Sequence, residues 1–286
     1  MPQIGLRYPM YAPLVEDETA KTHSYGDGKV AAKAVSVNWN LNISDNKFYA
    51  DDGISESEKV FESGTMTFTP DDLSLETKAD WLDNELEEEA VGEETIKVLK
   101  SKGTDSPGYF GFGFVIPKVK NKVRQYRAIL LTKVQFGEPN ETAETKGESI
   151  NWQTPAIEGS IMRRIDENWK EEITVTSLDT ALAWLRGKLN VAVQSDSQLT
   201  ALTIGDLTLD PEFSPAVTSY TADATAATSA VTATAKTGAE IVIEVNGTPI
   251  ANGGDATWDE EENTVVITVT YKTFETVYTI TVTKST

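Results

Sequence analysis

The chain has 286 residues, 39% hydrophobic and 24% charged, an ordinary globular composition long enough for two cores. Its formal net charge of -20 disfavours gripping a nucleic-acid phosphate backbone, because that binding draws on Lys and Arg to release counterions. With no cysteine and a single histidine, His23, disulfides, thiolate zinc sites, cysteine nucleophiles and sites of several imidazoles are all excluded.

The N-terminal "MPQIGLRYPMYAPLVEDE" lacks the basic and apolar regions of a secretory signal, and no run approaches the ~20 apolar residues that span a bilayer, so membrane insertion is not expected. His23 lies in a polar, glycine-flanked stretch, a poor setting for a Ser-His-Asp arrangement. In "AVSVNWNLNI" the residues Val35, Val37, Trp39, Leu41 and Ile43 alternate with polar ones, which predicts a strand with one buried face. "SGTMTFTP" repeats the pattern with Met66 and Phe68. Residues 46–73, which include the second of these, crowd carboxylates around Phe48 and Tyr49.

A helix is predicted after Thr69, with Pro70 and Asp72 as start signals and Leu75, Ala79, Leu82 and Leu86 as the apolar stripe. Strands follow at "GYFGFGFVIP", at "KVRQYRAILLTKVQF" and in "SINWQTPAIEGSIMRR". The polar stretch 137–150 is long for a loop in a compact domain and suits partner contact. In "SLDTALAWLRGKLN", Ser177 caps a helix with Leu178, Ala181, Leu182 and Leu185 on one face and Gly187 as its stop. Strands outnumber helices, so this part reads as a β-sandwich or barrel with a helix packed on it.

A compositional boundary falls near residue 195. From Asp196 onward there are 13 acidic and three basic residues, no arginine, and much Thr and Ala. "VAVQSDSQLT" reads as a linker, giving domains at 1–190 and 199–286 joined by 191–198. Beyond it, Asn246-Gly247 marks a tight hairpin, and Val265, Ile267 and Val269, then Tyr278, Ile280 and Val282, form alternating faces. About seven short strands in this stretch predict an immunoglobulin-like sandwich.

No chemical motif is complete. Read as a calcium loop with Gly53 at its sixth position, the acidic stretch has Phe48 first and Ala50 third, where carboxylates are required. "GYFGFGFVIP" has no following helix and no phosphate-binding lysine, so close-packed glycines are the expectation. Carboxylate pairs could serve a carbohydrate hydrolase, but Trp39 and Trp184 lie in core patterns rather than as sugar platforms. The basic run "KVKNKVRQYR" reads as a hairpin flank facing acidic surface on a neighbour.

The pieces "IGLRYPMYAPL", "KFYADDGISESEKVFESGTMTFTPDDL", "TKGESINWQT" and "LDTALAWLRGKLN" together resemble the phi13-type major tail proteins of long, non-contractile-tailed phages, over residues 3 to 190. "LTIGDLTLDPEFSPAVTSYTA" and "VYTITVTK" resemble the cadherin-like or immunoglobulin-like sandwiches appended to phage and bacterial surface proteins. The first resemblance implies a tail tube subunit that forms hexameric rings stacked into a DNA conduit within the virion, made in the host cytoplasm. Its partners would be further copies of itself, the tape measure, tail tip and terminator proteins, and DNA that passes without specific binding.

It implies no enzymatic activity, no catalytic or metal residue and no cofactor. Its matching motifs make Tyr49, Asp51, Asp52, Glu56, Thr145, Lys146, Glu148 and Trp152 candidate subunit-interface residues. The second domain would decorate the tube and meet cell-surface glycans through many weak contacts. The acidic balance adds the expectation of an Asp- and Glu-biased inner wall. A bacterial surface adhesin is the alternative reading, a carbohydrate hydrolase the more remote one.

Overall fold

The computed structural model describes residues 5–50, 53–142, 145, 153–259 and 261–285. The chain is mainly β and divides into two compact units, Met1–Val191 and Ala192–Thr286. The first unit contains β1 (Arg7–Asp17), β2 (Thr22–Tyr25), β3 (Lys29–Val30), β4 (Ala34–Ala50), β5 (Gly53–Pro70), α1 (Leu75–Leu82), β6 (Glu85–Val91), β7 (Glu94–Lys100), β8 (Phe110–Lys120), β9 (Val123–Phe136), β10 (Ile157–Met162), β11 (Lys170–Val175) and α2 (Leu178–Leu189). Its main sheet runs β2-β1-β8-β9-β10-β5-β4, with β11 also on β9 and β3 on β1, while β6 and β7 pair only with each other.

The two faces of this sheet bury different partners, and strand alternation decides which. Phe110, Phe112 and Phe114 of β8, Ile129 and Leu131 of β9, Met66 and Phe68 of β5 and Ile157 and Ile161 of β10 form one core with Trp81 of α1. The Trp81 ring stacks on Phe136 at 3.9 Å between centroids. On the opposite face Met10, Ala12, Val115, Ala128 and Leu130 pack against Ala181, Leu182, Leu185 and Leu189 of α2. Gly111 and Gly113 point this way, and a Cβ on either would run into Leu189 or Leu185, so the glycines of "GYFGFGF" let α2 approach the sheet.

Both helix boundaries differ from the sequence expectation. Thr69 and Pro70 stay in β5, held by pairing with Ser36 and Ala34, and proline ends the strand. The cap is Ser74, whose Oγ accepts a hydrogen bond from the Thr77 N–H at 3.2 Å, and Leu86 belongs to β6 rather than the helical stripe. Helix α2 does begin at Ser177, but it runs through Gly187 so that Leu189 reaches the core, and stops at Asn190 in the left-handed region at φ 51°.

The second unit contains β12 (Leu199–Ile204), β13 (Ser219–Ala224), β14 (Thr228–Ala235), β15 (Glu240–Val245), β16 (Thr248–Ile250), β17 (Asp255–Thr257), β18 (Glu261–Tyr271) and β19 (Phe274–Lys284). They form sheets β12-β14-β17 and β13-β19-β18-β15-β16 around one core that includes Leu199, Tyr220, Trp258, Ile267, Tyr278 and Ile280. The turn between β15 and β16 is Asn246-Gly247, both at positive φ, as a two-residue hairpin requires.

Residues 191–198, expected as a linker, carry structure of their own. Val191 bridges to Gly28, and Gln194–Ser197 forms a 3-10 turn. That turn is tied to the second unit: the Gln194 side chain donates to Glu275 O at 2.8 Å, the Ser197 hydroxyl bonds Thr276 at 2.9 Å, and Asp196 pairs with Lys236 at 2.7 Å.

Candidate assembly surface

The acidic stretch around Tyr49 is the end of one long antiparallel hairpin. Strands β4 and β5 are 17 and 18 residues long, yet β10 pairs with β5 only from Gly64 to Phe68. Among the described residues the distal half pairs only with itself, from Asp45 opposite Lys59 to Ala50 opposite Gly53, and its described side chains are exposed. Among the described residues, strand β4 is also the last strand of the sheet, so its outer edge has no strand partner there.

Tyr49, opposite Ile54, and Glu56, opposite Phe48, therefore lie together near the tip of this arm. Asp51, Asp52, Lys146, Glu148 and Trp152 lie outside the described residues. Thr145 is exposed and belongs to the loop that leaves the sheet at Phe136 and returns at Ile157, beside Phe68. From Phe68 to Gly53 an extended strand covers about 50 Å, so the loop and the arm tip are rooted at opposite ends of the hairpin.

The face of β4, β5, β10 and β9 turned away from the Trp81 core is polar, with few charges among its described residues; Asn42 donates to Glu62 there at 3.0 Å. Register places Asn38 beside Thr67 and Glu158, and Asn40 beside Thr65, Ser160 and Gln135. Ser36 sits opposite Thr69 and Asn42 opposite Ser63. Lys133 at its margin is neutralised by Glu16 at 2.5 Å.

Sequence reasoning missed an ion cluster that fixes one end of the sheet. Arg164, between β10 and β11, is 3% exposed; its guanidinium binds Asp166 at 2.6 Å, Glu171 at 2.9 Å and the Tyr25 hydroxyl at 3.1 Å. Glu171 also meets Lys188 of α2 at 2.6 Å, and Tyr25 donates to Thr132 O at 2.7 Å. Burial pushes the Tyr25 hydroxyl up to about 12 against the pull of Arg164. The Arg164 hydrogen bond, with a second from Asn168, holds the Asp166 carboxyl well below the carboxylate range. Burial works against ionised Glu171, but Lys188 and Arg164 outweigh it and lower its pKa. No alternation or capping pattern marks these residues in the sequence.

Among the described residues there is no group of three His, Cys, Asp or Glu able to hold a metal ion. The second unit has a shallow groove of about 620 Å³, lined by hydroxyls of Thr208, Thr225 and Ser229 and carboxylates of Asp206, Asp223 and Asp255. Its hydroxyls and carboxylates can hydrogen-bond a polyol.

A two-sheet β-sandwich with this strand order defines the class of the second unit, and residues 196–285 match the family model of the cadherin-like beta sandwich domain. No curated protein matches the chain.

Proposed function

We propose that this chain is a self-assembling tube subunit, the major tail tube protein of a long, non-contractile-tailed phage, whose rings stack into a conduit for DNA. The observation that carries the reading is the β4–β5 arm: a long hairpin with an open edge, half of it projecting beyond its own sheet. Such an edge gains most by continuing into the sheet of a second copy. Repeated around a ring, edge-to-edge pairing closes a barrel; the α1-covered side of β4, β5 and β10 is placed outward, and α2, on the other side of the sheet, lies away from this edge over β1, β8 and β9. The uncovered Asn/Thr/Ser face lines the lumen.

The described part of the four-strand face offers hydroxyls and amides, with Glu62, Glu158 and the neutralised Lys133 as its charges, so its few free charges are acidic. DNA is not held because the wall lacks free cations, and the chain-wide charge of -20 adds a long-range repulsion. The cadherin-like unit decorates the outside, where its polar groove can meet cell-surface glycans, each weakly and many at once.

A surface adhesin is the second reading, favoured by the cadherin-like match and the groove. Replacing residues 46–57 with a two-residue Asn-Gly turn separates the two. Loss of ring and tube formation with unchanged folding supports the tube, whereas an unassembled parent chain that binds glycan supports the adhesin.

A further inference from the structure

The first unit carries two small hairpin tips of opposite charge, one at an end of the main sheet and one on the separate β6–β7 hairpin. One is the turn between β8 and β9, where Lys120 pairs with Val123 across Asn121 and Lys122, both at positive φ. The other is the turn between β6 and β7, where Val91 pairs with Glu94 across Gly92 and Glu93. Each tip thus ends in one valine beside one charge, with a second charge of the same sign in the turn. Both valines are exposed, Val123 at 51% and Val91 at 58%.

The charges at these tips stand apart from those around them. Nearby ions on each hairpin have partners: Arg127 binds Glu172, while Lys97, Lys100 and Lys102 bind Glu76, Glu87 and Glu85. Among the described residues, Lys120, Lys122 and Arg124 have no carboxylate within ion-pair distance, and Glu93 and Glu94 have no such cation. The basic tip is far from the base of the acidic hairpin within one copy. Strand β9 starts at the basic turn and runs 14 residues, about 45 Å, to Phe136. There Phe136 stacks on Trp81 of α1, and the base of the acidic hairpin is held by Asn84 on Asp105 at 2.8 Å.

We infer that the acidic tip of one copy docks on the basic tip of another, as the head-to-tail contact by which copies stack. Val91 and Val123 form its apolar centre, and Glu93 and Glu94 face Lys120 and Lys122 around it. The occupant is a second copy because the complement in both charge and apolar placement is on the same chain, on a separate hairpin. A contact between two different surfaces propagates from copy to copy rather than closing as a dimer. The inference rests on the tube reading and supplies its axial contact; the lateral contact belongs to the β4–β5 arm.

The test uses the full chain with reversed tips: Lys120→Glu with Lys122→Glu, Glu93→Lys with Glu94→Lys, and all four together. Self-association is followed by sedimentation and electron microscopy, with thermal melting as a folding check. Each reversed pair should cut stacking at least tenfold, leaving single rings, and the fourfold variant should restore it. Stacking of the parent should also weaken from 0.05 to 0.5 M salt, as screening shortens the Debye length. Unchanged stacking in the single-tip variants, or no recovery in the fourfold variant at parental melting temperature, would overturn the pairing. So would a short DNA duplex binding to the basic turn while self-association stays unchanged. A parent chain forming no rings would sink the tube reading; the tip pairing would then fall separately if sedimentation showed no salt-sensitive association.

Discussion

Arg164 and Asp166, two positions apart, share a bidentate pair of hydrogen bonds, Nε to Oδ1 at 2.9 Å and Nη2 to Oδ2 at 2.6 Å. The same guanidinium reaches Glu171 and Tyr25, so one side chain ties the β10–β11 connection to β2 and, through Glu171 and Lys188, to α2. Removing the cation leaves two partly buried carboxylates and a tyrosine hydroxyl without it. Arg164→Met should destabilise the first unit by roughly 3 kcal/mol, measured by urea unfolding, with the transition of the second unit unmoved.

The pH dependence follows from the same cluster. Asp166 and Glu171 have lowered pKa values in the folded chain, so near pH 4 the unfolded chain binds more protons. Their contribution is therefore present above the ordinary carboxylate range, about 3.9 to 4.3, and is lost as pH falls through the lowered values. The melting temperature of the first unit should drop as pH is lowered from 5 to 3, and Asp166→Asn should flatten that drop.

Gly113 is beneath Leu185 with Ile129 O close by, so a side chain there has no room. Gly113→Val should cost roughly 1 to 3 kcal/mol by pushing α2 off the sheet. Leu185→Ala in the same chain should recover part of that loss, a non-additivity visible in a double-mutant cycle.

Asn263 is fully buried; its Oδ1 accepts from the Asp259 N–H and from Asn246 at 2.9 Å each, and its Nδ2 donates to Asp259 O at 3.0 Å. Asn263→Ala should lower the stability of the second unit alone by about 1 to 3 kcal/mol, because it orphans buried polar groups. The two units have cores with no residue in common. Truncation after Val191 should accordingly leave the first unit folded and, on the tube reading, still able to assemble.

How much of this was legible in the sequence depended on whether a signal was local. Trp39, Met66 and Phe68 announced their strands by alternation, and Asn246-Gly247 its turn, because these need only neighbours along the chain. The helix start was displaced from Thr69 to Ser74 because β4 claims Thr69 and Pro70 by pairing from more than 30 residues away. Arg164, Glu171 and Tyr25 meet only once three separate segments are folded, and no spacing rule anticipates that. Of the candidate interface residues, register brings Tyr49 and Glu56 together, while the loop that carries Thr145 leaves the sheet at the other end of the same hairpin.

Electron microscopy of the purified full chain over a wide concentration range shows directly whether it assembles. A tube subunit should give rings and uniform tubes with a central lumen, and should lose them when the arm tip 46–57 is replaced by a tight turn. Particles that remain monomeric at every concentration, with or without the arm, would contradict the tube reading.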